Sequence, residues 1–137
     1  MDFAVPADIQ ETLDQLDAFI ESEIKPLQAA DDNERFFDHR REWSRTDFEN
    51  DGVPTADWEA LLREMRRRAD AAGWLRLALP KEFGGQDASN LKMAVIREHL
   101  ATKGLGLHND LQNEHSIVGN NVGLLLMLHS AFCSSVP

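Results

Sequence analysis

The sequence has few cysteines and no long apolar run, and both absences limit the kind of protein it can be. Cys133 is the single cysteine among 137 residues, so no disulfide can form within the chain and a reducing compartment is expected. The longest apolar run, residues 122–128, is far shorter than the roughly 20 residues that a membrane-spanning helix needs. The first residues are acidic and polar, which argues against a secretory signal. We therefore expect a cytoplasmic protein with no membrane span.

Positive charge is also scarce. The formal net charge is −10, whereas binding to nucleic acid phosphates requires a basic surface, so no nucleic acid partner is expected. The same charge disfavours docking on anionic lipid. Four of the 14 Lys and Arg residues, namely Arg63, Arg66, Arg67 and Arg68, fall on one predicted helix. This run indicates either a local anion site or a solvated helix face, and the solvated face is the commoner origin of such a pattern.

Signature motifs of common enzyme sites are missing as well. The sequence has no Gly-x-Ser-x-Gly and no P-loop, and Gly104-x-Gly106 is too short for a dinucleotide fingerprint and follows a predicted helix. Four side chains of the types that bind metals lie close together: His108, Asp110, Glu114 and His115. Their spacing gives no Glu-x-x-His pair, and adjacent residues face different ways on a helix. We therefore expect no metal site.

What the sequence does contain is helical periodicity, which predicts an all-α helical bundle of about four main helices. The first helix is predicted over residues 6–30, with a kink or break near Pro26 because proline cannot donate a helix hydrogen bond. Its apolar stripe has spacings of three and four: Ile9, Leu13, Leu16, Ile20, Ile24 and Leu27. Residues 31–53 are polar but contain four aromatics, so we expect a loosely packed excursion over the core. These aromatics are Phe36, Phe37, Trp43 and Phe48.

The second and third helices have clear boundary signals. Thr55 is the predicted N-cap of the second helix and Gly73 ends it. Its predicted apolar face consists of Trp58, Leu61, Leu62, Met65, Ala69 and Ala72. The third helix is predicted to begin after Asp87 or Ser89 and to reach about Lys103, with Gly104 ending it. Its inner face consists of Met93, Ile96 and Leu100, with Val95 beside them.

A fourth helix is predicted over residues 114–129, after a loop over residues 105–113. Residues 117–128 are apolar nearly all round the helix, and such a helix is expected to be buried on every side. Any side left uncovered would expose an apolar patch of the size that drives association. We therefore expect self-association, or binding of partner helices, through residues 114–129.

The most distinctive stretch is residues 71–86, with the sequence AAGWLRLALPKEFGGQ. A helix exits through Ala72-Gly73-Trp74, a short apolar run follows, and Pro80-Lys81-Glu82-Phe83-Gly84-Gly85 forms a tight loop. A helix rich in small residues, 115–121, comes later. In this order of elements, residues 9–129 resemble the amino-terminal helical domain of the flavin-dependent acyl-CoA dehydrogenase family.

The resemblance implies an oxidoreductase of fatty acid metabolism, a flavoprotein whose full-length form uses FAD to desaturate an acyl-CoA thioester between the α and β carbons. In that family the corresponding helices form one wall of the acyl-tail channel, whereas the flavin site and the catalytic carboxylate come mainly from a middle β-domain and a carboxy-terminal helical domain. The resemblance thus implies no catalytic residue here and no tight FAD binding by this chain alone. Whether the chain by itself is an enzyme stays open.

The substrate-binding residues implied by the resemblance lie at the start of the fourth helix. They are Gln112, Asn113, Ser116, Ile117 and Asn120. Small residues at such positions would leave room for an acyl tail. The alternative is that Gly119 and Gly123 merely allow close helix packing.

The sequence departs from the family pattern in two places. Gln86-Asp87 stand where the family often has another glycine, and residues 130–137 lack the family's continuation into a further helix. We therefore expect a family-like domain over residues 1–129, a disordered non-family tail over residues 130–137, and a truncation before the flavin-binding middle domain. The alternative function is a stand-alone helical protein-interaction module that uses its apolar fourth helix.

Overall fold

The long amino-terminal helix changes its winding just ahead of Pro26. The computed structural model describes residues 4–115, without the side chains of 39, 41, 42 and 112–115. In it α1 (Ala7–Phe19) continues through a π-helical turn (Ile20–Ile24) into α2 (Lys25–Ala29). A proline ring crowds the carbonyl four residues back, and the wider π turn makes room for it. The predicted helix is confirmed, and its irregularity near Pro26 is this turn rather than a break.

The second half of the predicted excursion contains a short strand pair that the sequence analysis missed. Two 3₁₀ segments, Ala30–Phe37 and His39–Arg45, lead into β1 (Thr46–Asp47), which pairs antiparallel with β2 (Val53–Pro54). Thr46 lies opposite Pro54 in this ladder. The ladder is only two residues long, so the all-α prediction is confirmed for the described residues.

The four aromatics of this excursion divide into two groups. Phe36 is 2% exposed and its ring centroid lies 5.3 Å from that of Trp58, while Phe37 packs partly against the same ring. Trp43 and Phe48 are 64% and 72% exposed. The prediction of loose packing is therefore wrong for the first half of the segment and correct for the second.

Helix α3 (Ala56–Ala71) follows Thr55 as predicted, but the threonine does not cap it with its side chain. Instead Thr55 Oγ1 donates to the Ser44 carbonyl over 3.1 Å. Gly73 has a φ of +83°, the left-handed conformation expected of a residue that ends a helix. The predicted face is buried at Trp58, Leu61, Met65 and Ala69 and half-buried at Leu62, whereas Ala72 is exposed because it lies beyond the last full turn.

Helix α4 (Asn90–Thr102) begins after Ser89, whose Oγ accepts from the Lys92 N–H over 3.2 Å. Ser89, rather than Asp87, is therefore the cap. Beyond Gly104 the chain forms a 3₁₀ helix, Leu107–His115, where a loop had been predicted. The predicted fourth helix lies outside the described residues, apart from Glu114 and His115, whose backbone belongs to the 3₁₀ helix.

One apolar core unites the described helices. Leu16 and Ile20 of the first helix, Met65 of α3 and Ile96 of α4 are all completely buried. The 3₁₀ helix after α4 adds Leu107, also completely buried, so it is part of the packed structure. Of the helices within residues 4–115, none has the length and apolar character needed to cross a bilayer.

Candidate functional site

The segment between α4 and the predicted acyl-binding residues is fastened to the far end of the first helix. The Leu107 N–H donates to Gln28 Oε1 over 2.8 Å, a contact between residues 79 positions apart. Leu107 and Leu111 are completely buried. We call residues 104–111 the anchor segment. Because Leu107 and Leu111 are buried, the backbone that leads to Gln112 is held against the core.

Asn109 holds the turn of the anchor segment closed. Its Oδ1 accepts from the Gly106 N–H over 2.9 Å, and its own N–H donates to the Gly106 carbonyl over 3.0 Å. Its Nδ2 donates to the Leu100 carbonyl at the end of α4 over 3.3 Å. One side chain therefore serves both the loop and the last turn of the helix. A Cβ at position 106 would lie 2.6 Å from His108 Cε1, so a larger residue there would force the buried His108 ring to move.

His108, one of the four potential metal ligands, is buried in the core. It is 7% exposed, and its Nε2 lies 3.2 Å from the Gly104 carbonyl, which can only accept, so Nε2 carries the proton. Burial lowers the pKa of His108 below its ordinary value, against a smaller opposing effect of that carbonyl. Among the described side chains, which do not include those of Glu114 and His115, no group of three potential ligands is placed to hold a metal ion.

The predicted acyl-binding residues follow this anchor directly. The backbone of Gln112 and Asn113 belongs to the 3₁₀ helix Leu107–His115. Ser116, Ile117 and Asn120 lie outside the described residues. The anchor segment thus places the beginning of the predicted acyl-binding stretch beside the apolar core.

Residues 76–88, which we call the strap, form a loop whose two halves are joined by backbone hydrogen bonds. The Gln86 N–H donates to the Arg76 carbonyl over 3.1 Å, and the Ala88 N–H donates to the Leu77 carbonyl over 2.8 Å. Gly85 lies so close to the Leu79 carbonyl that a Cβ there would overlap the backbone. Gly85 of the glycine pair that carried the resemblance is therefore dictated by a close approach of two backbone segments, whereas Gly84 is favoured by its left-handed φ of +78°.

The arginines of α3 are engaged by carboxylates of the same surface. Arg67 Nε and Arg68 Nε each lie 2.8 Å from Glu64, and Arg68 Nη1 lies 3.1 Å from Glu23 on the first helix. A hydrogen bond from Arg67, with a smaller effect of one from Arg68, lowers the pKa of Glu64 to about 2. A groove of about 720 Å³ between the first helix and α3 is lined in part by Glu23, Arg67 and Arg68. Because carboxylates already compensate Arg67 and Arg68, the solvated-face interpretation is favoured over an anion site for these two of the four arginines.

Sequence reasoning missed both residues that fix the anchor segment. Gln28 left no local signal, because its partner is 79 positions away and a glutamine near a helix end is unremarkable. Asn109 stands in the pair Asn109-Asp110, which is typical of turns and offered a usable signal.

A comparison with known protein families agrees with these features. The family model described as acyl-CoA dehydrogenase, N-terminal domain, matches residues 6–126. That range includes the strap, the anchor segment and the five predicted acyl-binding residues. No curated protein and no solved structure was found to match. Because the family model covers most of its length, the chain belongs to the acyl-CoA dehydrogenase N-terminal domain family.

Proposed function

We propose that this chain provides part of the acyl-binding wall of a flavin-dependent acyl-CoA dehydrogenase. The observation that carries the proposal is the anchor segment, whose buried Leu107 is bonded to Gln28 of the first helix just before the predicted acyl-binding residues. A wall needs side chains held in a constant position, and a buried anchor supplies that. The resemblance to the family implies that the acyl tail would lie beside the residues that follow.

The residues proposed to line the acyl tail are Gln112, Asn113, Ser116, Ile117 and Asn120. Small or short side chains leave space for a hydrocarbon tail, and Ile117 offers an apolar surface to it. Leu107 and Leu111 are buried in the protein core, and this burial fixes the backbone just before Gln112.

The chemistry proposed for the full-length parent is removal of a proton from the α carbon and transfer of a hydride from the β carbon to FAD. No part of this sequence resembles the family's base region or its main flavin-binding regions. We therefore propose that the chain alone is inactive and does not hold FAD tightly, because positioned groups supply most of such a rate. We also propose that the protein is cytoplasmic.

The acyl-binding role can be tested on the purified chain with a photoreactive acyl-CoA that has a diazirine at the end of its tail. We expect labelling within residues 112–120, competed by unlabelled acyl-CoA and not by coenzyme A alone. Replacing Ser116 with Trp should reduce labelling by filling the space, whereas the matched Ser22→Trp on the first helix should not. Labelling spread over the surface, or labelling equal in both variants, would count against the proposal.

Inactivity is tested separately, with FAD, an acyl-CoA thioester and a dye that accepts electrons. We expect colourless purified protein and no dye reduction. Yellow protein that reduces the dye on addition of the thioester would refute this part of the proposal. A neighbouring reading frame that encodes a flavin-binding β-domain would supply the missing regions.

The alternative function is that of a stand-alone helical interaction protein. The apolar character of residues 117–128 on nearly all sides favours it. Under this alternative the acyl probe would not label residues 112–120, and association would depend on apolar side chains of residues 114–129.

A further inference from the structure

Two histidines, one in the last turns of α4 and one just beyond it, differ in what their rings contact. His99 Nε2 lies 2.7 Å from a carboxylate oxygen of Asp17, and Lys103 Nζ lies 2.8 Å from the same oxygen. The hydrogen bond described for the buried His108 ring goes instead to a carbonyl, that of Gly104, over 3.2 Å. A proton added to His99 therefore meets a negative charge, whereas in the described contacts one added to His108 meets only a neutral group.

A second proton on the His108 ring goes to Nδ1, because Nε2 already carries the proton that it donates to the carbonyl. Nδ1 faces the turn of the anchor segment, since a Cβ built on Gly106 would lie 2.7 Å from it. The 3₁₀ helix of His108 packs against α2, α3, α4, the π turn and residues 74–76. The described charged groups that act on the ring are Lys103 at the end of α4, Lys25 of α2 and Asp110 of the 3₁₀ helix itself. Burial is the largest cause that lowers the pKa of His108, and the two lysines add to it.

Two hydrogen bonds join the anchor segment to the helices beside it. The Leu107 N–H donates to Gln28 Oε1 over 2.8 Å, and Asn109 Nδ2 donates to the Leu100 carbonyl over 3.3 Å. The burial of Leu107 and Leu111 adds an apolar contact with the core. A charged imidazole is costly to keep in such surroundings, and moving this one short segment into water removes that cost.

Gly104 provides a hinge at the start of the anchor segment. It has a φ of +82°, and no atom lies within 4 Å of a Cβ built on it. Leu105, the next residue, is 63% exposed, whereas Leu100 in the last turns of α4 is 2% exposed. Because glycine has wide backbone freedom, the chain can turn at residues 104–105 without displacing the packed side chains of α4.

We propose that His108 is a pH-sensitive switch whose protonation releases the anchor segment from the core while α1, α3 and α4 stay packed. In the released state the charged ring lies in water, and Leu107 and Leu111 leave the core with it. Helix α4 stays in place because acid adds charge to His99 beside Asp17. The pKa of Asp17 is lowered, so its carboxylate remains ionised when the histidines gain their protons.

The release changes the backbone that leads to the predicted acyl-binding residues. With the anchor segment open, Gln112 follows a stretch that the core no longer holds. A weaker hold on an acyl tail in acid would follow, and this consequence rests on the proposed function, whereas the opening itself does not. Opening is therefore measured on the chain without acyl-CoA, so that failure of one proposal can be told from failure of the other.

Hydrogen–deuterium exchange of the full chain, followed by mass spectrometry of its peptides, measures the opening directly. Exchange is compared at about pH 7.5 and about pH 5, across the range in which histidine changes charge, after division by the rate of an unstructured peptide at the same pH. Peptides from residues 104–111 should lose protection in acid, by about tenfold for each unit by which burial lowers the pKa of His108. Peptides from residues 56–71 and 90–102 should keep theirs.

Three variants assign the effect. His108→Gln keeps a donor for the Gly104 carbonyl but gains no charge, so protection of residues 104–111 should differ by less than about twofold between the two pH values. The matched variant His99→Gln changes the other histidine and should retain the loss in acid. Gln28→Ala removes the acceptor of the Leu107 N–H and should open the anchor segment at neutral pH, which tests the release even where His108→Gln does not fold.

Three results would overturn the inference. Peptides from residues 104–111 could stay equally protected at both pH values. Peptides from α3 and α4 could lose protection together with them, which would make the effect of acid a global unfolding. The loss in acid could persist unchanged in His108→Gln, which would assign it to another group.

Discussion

His99 Nε2 lies 2.7 Å from Asp17 Oδ1, and this contact ties the last turn of α4 to α1 across 82 residues of sequence. Lys103 Nζ lies 2.8 Å from the same oxygen. Partial burial would raise the pKa of Asp17, but hydrogen bonds from Lys103 and His99 outweigh it and lower the pKa below its ordinary value. The carboxylate is therefore a polar link between two helices that otherwise meet through apolar side chains.

Replacing Asp17 with Ala should reduce the free energy of unfolding by about 1 kcal/mol, near the upper end for ion pairs that keep contact with solvent. A lowered pKa means that this stabilisation is present above the unfolded-state value of 3.8 and is lost as the pH falls through the folded-state value. Urea unfolding of both proteins across acidic pH measures the difference. Asp14→Ala is the matched control, because Asp14 contacts only a neighbour on its own helix, Gln10, in the bonds described.

Protonation of His108 should destabilise the folded chain. Burial lowers its folded-state pKa below the ordinary value of 6.5, so the unfolded chain binds the proton more readily. The stabilisation that the neutral His108 ring gives the folded chain is therefore complete above pH 6.5 and is lost as the pH falls toward the folded-state pKa. Urea unfolding should show this decline in the unmodified chain and a shallower one in His108→Gln, which keeps a donor for the Gly104 carbonyl.

A nuclear magnetic resonance titration of the His108 ring checks the sign independently. The ring proton beside Nε2 should report a midpoint below 6.5. A midpoint above that value would contradict the buried neutral imidazole described here.

Glycine should be far more necessary at position 85 than at position 104. A Cβ at Gly85 would overlap the Leu79 backbone carbonyl, so Gly85→Ala should lower the free energy of unfolding by about 3 kcal/mol as the strap moves apart. Gly104 has a φ of +82° with no atom within 4 Å of a built Cβ. Gly104→Ala should lower that free energy by only about 1–2 kcal/mol, from the left-handed backbone alone. Thermal unfolding of the two variants gives the comparison, and equal losses would refute the contact at Leu79.

The helix boundaries were predictable because their signals are local. Gly73 and Gly104 both adopt the left-handed conformation expected at a helix end, and Ser89 caps α4 through its side chain. The strap was predictable for the same reason, since Pro80 fixes its own φ and Gly85 permits the close approach to the Leu79 backbone six residues earlier. Such features depend on one residue's conformational range and need no knowledge of the tertiary structure.

What could not be predicted depends on distant partners. Phe36 and Phe48 lie in the same polar segment, yet one is 2% and the other 72% exposed, because only Phe36 meets the Trp58 ring. The 3₁₀ helix after α4 is polar and weakly periodic, and its position follows from Gln28 at the end of α2. Apolar periodicity identifies the buried stripes of long helices, but it does not indicate which irregular segments pack against those stripes.

The apolar stretch 117–128 should make the chain self-associate. A helix apolar on nearly all sides buries one side against its own bundle, and any uncovered side exposes a few hundred Å², which is worth several kcal/mol at about 25 cal/mol per Å². The net charge of −10 opposes association, but salt screens it beyond about 10 Å. Sedimentation should therefore show larger species as salt rises. Leu125→Lys and Leu128→Lys, made singly, should distinguish the sides: on the uncovered side lysine improves solubility, and on the buried side it unfolds the chain because an unpaired charge is costly to bury. A stable monomer at high concentration and high salt would decide against self-association through this stretch.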